Sequence, residues 1–112
     1  MSFIDELLAK LCPKGVEFKP LGDIAELVRG NGMPKSDFTD TGIGCIHYGQ
    51  IYTHYGISAT ETISFVAPQT ASPLAKVEPG DIIITNNSEN LEDVCKSVAW
   101  LGKSQIVTGG HA

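Results

Sequence analysis

Three polar stretches hold the side chains best suited to chemistry. Arg29-Gly30-Asn31-Gly32 through Lys35 offers two cations, an amide and open backbone donors. His47-Tyr48-Gly49-Gln50-Ile51-Tyr52 offers an amide between aromatic rings, and Thr85-Asn86-Asn87-Ser88 offers hydroxyls and two amides. Arginine pairs with guanine, and glutamine or asparagine with adenine, because their donors and acceptors match base edges in the major groove. Lysine, serine and threonine hold phosphates. On ordinary turns the same residues merely face water.

Other chemistries are poorly supplied. Cys45, His47 and His54 lie near each other, and a strand would put Cys45 and His47 on one face. A structural zinc site wants four ligands, and Cys12 and Cys95 stand alone. The expectation is packed or hydrogen-bonded side chains and no metal. No Gly-x-Ser-x-Gly elbow marks a nucleophile. Gly42-Ile43-Gly44 begins like a dinucleotide fingerprint, but His47 stands where its last glycine belongs, and no glycine-lysine-serine/threonine loop follows. Glu92-Asp93 reads as solvated surface.

Composition narrows the class. The chain has 112 residues, enough for one domain. Its net charge of −5 argues against a nonspecific nucleic-acid binder, since neutralised phosphates supply much of such affinity. Contact with DNA would then rest on a few placed side chains, with other parts of an assembly supplying the grip. Three widely spaced cysteines do not make a disulfide framework. No run of about 18 apolar residues occurs, and Asp5 and Glu6 sit where a signal peptide needs positive charge. The expected location is the cytoplasm, with no membrane partner.

The elements that must position these stretches are predicted as follows. Ser2 to Leu11 is a helix with an N-cap at Ser2, Asp5 in the first turn and an apolar stripe of Phe3, Ile4, Leu7, Leu8 and Leu11; Pro13 and Gly15 end it. Val16 to Leu21 is extended. Asp23 to Val28 suits a helical turn or a strand equally. Cys45 to Tyr48 and Ile51 to Tyr55 are predicted strands, joined by Gly49-Gln50. Thr62 to Val66 alternates with Ile63 and Phe65 on one face, and Pro68 to Pro73 is a loop. Glu78-Pro79-Gly80-Asp81 places Pro and Gly as a type II turn requires. Asp81 to Thr85 then reads as a buried strand, and Val94 to Leu101 with Gln105 to Thr108 as a hairpin closed at Gly102-Lys103. The chain stops directly after a strand, which reads as a fragment of something longer.

Several local features recur in one order: Leu11-Cys12-Pro13-Lys14-Gly15-Val16-Glu17-Phe18-Lys19-Pro20-Leu21-Gly22-Asp23-Ile24, then Arg29-Gly30-Asn31, then Ile46-His47-Tyr48-Gly49-Gln50-Ile51-Tyr52, then Val77-Glu78-Pro79-Gly80-Asp81-Ile82-Ile83-Ile84. This order resembles the opening of a type I restriction–modification specificity subunit. The resemblance implies an α+β fold. Residues 1–15 would form the N-terminal helix and connector, and residues 16–112 a mainly β, twisted-sheet DNA target-recognition domain, incomplete at its C-terminus. It implies a non-catalytic reader of double-stranded DNA. Partner methyltransferase and restriction subunits would carry the activities and use S-adenosylmethionine, ATP and Mg²⁺, with no cofactor in this chain. It places DNA contacts at Arg29, Asn31, Lys35, Gln50, Tyr52, Asn86, Asn87 and Ser88, while Gly80, Asp81, Ile82 and Ile84 build the turn and strand that present the last loop. Family members also carry spacer helices and a second recognition domain, which this chain lacks. The other expectation is therefore a fragment that binds protein, such as a competitor for the methyltransferase subunit.

Overall fold

The computed structural model describes residues 2–86, 90–109 and 111–112. The chain begins with α1 (Phe3–Leu11), started by a reciprocal cap. The Ser2 hydroxyl accepts from the Asp5 N–H at 3.1 Å, and the Asp5 carboxylate accepts from the Ser2 N–H at 3.3 Å. A short α2 (Leu21–Ile24) follows. No residue of either helix is buried, and from Phe3 to Val28 every large apolar side chain is exposed, Phe18 at 95%. This stretch is an arm standing off the folded body.

The body runs through a 3-10 turn (Lys35–Asp37), β1 (Phe38–Thr39), β2 (Ile43–His47), α3 (Tyr48–Thr53), β3 (Ser58–Ala59), β4 (Ser64–Val66), α4 (Pro68–Ala71), β5 (Ala75–Val77), β6 (Ile82–Ile84), β7 (Ser97–Trp100) and β8 (Ile106–Gly109). Five strands form one sheet in the order β1-β4-β2-β8-β5, and three form another in the order β3-β7-β6. Both sheets are mixed: β2 pairs β8 and β3 pairs β7 in parallel, and the remaining pairs are antiparallel. The architecture is α+β, with a short N-terminal helix ahead of the strands. No helix among the described residues is long and apolar enough to cross a membrane.

Alternation along β2 and β8 explains the core. Side chains on a strand point to opposite faces in turn. Ile46 and Ile106 enter one cluster, with Ile51, Tyr55, Val77, Ile83, Val98 and Trp100. Cys45 and Val107 enter another, with Met33, Val66, Ala71 and Leu74. The first joins the two sheets and α3, and the second is covered by the 33–38 segment and α4. β8 is buried at all four positions because both of its faces and both of its edges are occupied.

Several expectations are corrected. Residues 51–55 are not a strand. Gln50 reaches back to cap α3 at His47, so the chain turns helical where β-branched and aromatic residues suggested extension. In 62–66 it is Ser64 and Val66 that are buried, with Phe65 partly covered and Ile63 at 53% exposure. Residues 68–71 form a helical turn started by Pro68, where a loop was expected. The run at 82–84 is an edge strand with only Ile83 inside. The predicted hairpin is absent: β7 and β8 lie in different sheets. A type II′ turn needs φ above zero at Gly102, which is not among the positive-φ glycines. Instead the Trp100 indole lies against Gly102 and donates its Nε1–H to the Ser104 carbonyl at 2.8 Å. The strand near 105–108 is flanked on both edges, by β2 and β5. The 78–81 turn is as predicted, with Gly80 at φ +97° and the Asp81 N–H donating to the Glu78 carbonyl at 3.0 Å.

Candidate nucleic-acid interface

Because β2 and β8 are parallel, their C-terminal ends emerge on one side of the sheet. In open sheets with parallel strands, that side is where loops from separate parts of the chain converge. β2 delivers His47, Tyr48 and α3, and β8 delivers Gly109, with His111 and Ala112 beyond it. The 29–33 segment crosses here: Asn31 bridges to Gly109, and the Gly30 N–H donates to the Ala112 carbonyl at 3.0 Å. The end of β6 is tied in as well, since the Asn86 N–H donates to the His111 carbonyl at 2.8 Å. Three stretches singled out from sequence thus meet at one end of the body.

The crossing needs two glycines. A Cβ on Gly30 would lie 2.9 Å from the Gly109 Cα and from the Ala112 carbonyl oxygen. A Cβ on Gly109 would lie 2.2 Å from the Asn31 carbonyl oxygen. The backbones touch without side chains between them, which sets Arg29 beside the end of β8.

A chain of rings runs through the junction. Phe38 meets His47 edge-on at 5.9 Å, His47 lies 4.6 Å from Tyr48, and Tyr48 meets His111 at 4.8 Å with the planes at 89°. Edge-to-face contacts of this kind are favourable because the positive ring edge meets the negative face. His47 is buried, and its Nδ1 accepts from the Gly49 N–H at 3.1 Å. Burial pushes its pKa below the ordinary value, and the nearby Lys35 and His111 push in the same direction. The lowered pKa favours the neutral ring, and the accepting Nδ1 places its proton on Nε2.

Each expected contact residue has a definite place. Arg29 and Lys35 are exposed, and neither is in an ion pair among the described residues. Asn31 is exposed, and its side-chain N–H donates to the Pro73 carbonyl, pinning the loop. Gln50 is committed to the fold. Its Oε1 accepts from the His47 N–H at 2.9 Å, and its Nε2 donates to the Ser64 hydroxyl at 3.0 Å. A base-reading role for Gln50 would cost both bonds, so its position at the junction is a supporting one. Tyr52 is half-buried on α3. Asn86 is exposed at the end of β6, and Asn87 and Ser88 lie outside the described residues. Sequence reasoning missed Tyr48 and His111 as neighbours, because only strand pairing brings the end of β8 beside the end of β2.

Elsewhere the chemistry is spent on packing. Among the described residues, no group of three or more His, Cys, Asp or Glu is placed to hold a metal ion. Cys45 is buried with its Sγ 3.4 Å from the Ser64 hydroxyl, and burial raises its pKa. Lys76 gives its ammonium to the carbonyls of Ala71, Ser72 and Leu74. An open recess of about 880 Å³ lies at the opposite end of the sheet, lined in part by Gly44, Thr62, Trp100, Lys103 and Ser104. It is separate from the junction. Compared with protein-family models, curated proteins and solved structures, the chain finds no match.

Proposed function

We propose that this chain is a DNA-reading module, part of the target-recognition domain of a type I restriction–modification specificity subunit. In that role it directs methylation and cleavage by partner subunits without catalysing either. The observation that carries the reading is the convergence of the 29–35, 47–52 and 85–86 stretches on one end of the sheet, with Arg29, Lys35, Asn31 and Asn86 all exposed there. Guanidinium and amide groups presented together on a rigid sheet end suit base edges, and lysine suits phosphate. The order of motifs from Leu11 to Ile84 supports the same assignment. In a chain of net charge −5, the two exposed cations Arg29 and Lys35 at this end favour a polyanion there. The test is to exchange residues 29–90 for those of a related subunit within the whole complex and read the modified motif by methylome sequencing. One half of the motif should change. An unchanged motif overturns the reading.

A second reading rests on a different observation. The stripe of α1 (Phe3, Ile4, Leu7, Leu8 and Leu11) and the rest of the arm expose apolar side chains that the body does not cover. Exposed apolar surface of this extent marks protein contact. On this reading the chain binds a partner subunit through the arm, as a competitor for the methyltransferase subunit would. Co-purification with that subunit in the absence of DNA, lost on Leu7→Asp with Leu8→Asp, would favour it.

A further inference from the structure

The hydrogen-bond donors at the junction divide by what they can reach. Lys35 leans over the start of α3: a Cβ on Gly49 would stand 4.0 Å from the Lys35 Cε and 3.3 Å from the His47 Nδ1. His111 sits edge-on against Tyr48 on the other strand end and is exposed. Among the described residues, the groups facing the His47–Tyr48 pair are Lys35 from the 3-10 turn, Phe38 from β1 and His111 after β8. None of these is acidic. Asp37 lies on the same 3-10 turn as Lys35 and makes no ion pair with it among the described residues, and Asp93 is taken up by the Asn90 side chain.

We propose that Lys35 and His111, set about the His47–Tyr48 pair, form an anion site that holds one backbone phosphate of the duplex. This rests on the DNA-reading function and deepens it, giving Lys35 a positioning role and adding His111, which sequence reasoning had not chosen. Lysine acts as a point charge toward phosphate, and an imidazole offers an N–H donor in either protonation state. The buried, neutral His47 holds Tyr48 in place beneath them without adding a charge. One phosphate fixed at the junction would set the register in which Arg29 and Asn86 meet the grooves.

Phosphate contact is independent of sequence, so the test needs no knowledge of the motif. A labelled pool of randomised duplexes is titrated with the whole complex that contains this chain over a range of salt, with fluorescence anisotropy as the readout. Lys35→Gln should weaken binding roughly tenfold and flatten the logarithmic salt dependence by about 0.9, the value for one released counterion. His111→Ala should weaken it as well. Because both hold the same phosphate, the double variant should lose much less than the two losses combined. Lys35→Arg should keep the slope, and Lys103→Gln, exposed at the opposite recess, should change nothing. Binding that survives Lys35→Gln with an unchanged slope, or losses that simply add, overturns the phosphate site while leaving DNA reading intact. A complex that binds no duplex at all overturns both.

Discussion

Replacing Gly109 by alanine tests the junction most directly. The new Cβ would stand 2.2 Å from the Asn31 carbonyl oxygen and 3.1 Å from the Met33 Cβ. An ordinary carbon–oxygen contact is more than 1 Å longer, so the 31–33 segment has to retreat by roughly that amount. Overpacking of this sort costs about 1–3 kcal/mol. The retreat also strains the Asn31–Gly109 bridge and the Gly30–Ala112 hydrogen bond, worth about 1 kcal/mol each if lost. Against this, alanine removes about 0.4–1 kcal/mol of unfolded-state entropy. The net loss should be about 2 kcal/mol. Gly32→Ala, in the same segment, meets nothing within 4 Å and should be neutral or slightly stabilising. Urea unfolding followed by circular dichroism compares the two, and with a slope of about 1–2 kcal/mol per molar the midpoints should differ by about 1–2 M. Agreement of the two variants within about 0.5 kcal/mol would refute the claim that touching backbones hold the junction.

Other consequences are open to measurement. His47 has a depressed pKa when folded, so its contribution to stability is present above the unfolded value of 6.5 and is lost as pH falls through the folded value. A stability profile from pH 8 to 5 should therefore decline on its acid side, and His47→Gln should flatten that decline. Cys45, buried and with a raised pKa, should resist iodoacetamide in the native chain while the exposed Cys95 reacts; mass spectrometry of labelled peptides would reveal an error if Cys45 reacted equally fast. Ser2→Ala removes the cap of a nine-residue helix that has no buried residue, so helical ellipticity should fall while the unfolding midpoint of the body stays in place. Gly102→Ala would put a Cβ 2.2 Å from the Trp100 ring and should cost about 1–3 kcal/mol, visible as a shift in tryptophan emission and a lower midpoint.

What the sequence determined by itself was local. The reciprocal Ser2–Asp5 cap depends on residues three apart, and the Pro79-Gly80 turn depends on the φ each residue prefers, so both were legible without tertiary information. The polar stretches at 29–35, 47–52 and 85–88 were legible as chemistry, because donor and acceptor types are properties of single residues. Partnership was not legible. Ile51 to Tyr55 satisfies the strand pattern as well as the helical one, and only the Gln50 cap and the packing of Ile51 and Tyr55 beneath the sheet select the helix. Val94 to Thr108 looks like a hairpin, yet the Trp100 ring over Gly102 sends its two strands into different sheets. The junction likewise exists only through the parallel pairing of β2 with β8, which joins residues more distant along the chain than any periodicity can report. Burial of β8 on both faces is worth more than the local preference of any turn, and that collective term is what placed His111 beside Tyr48.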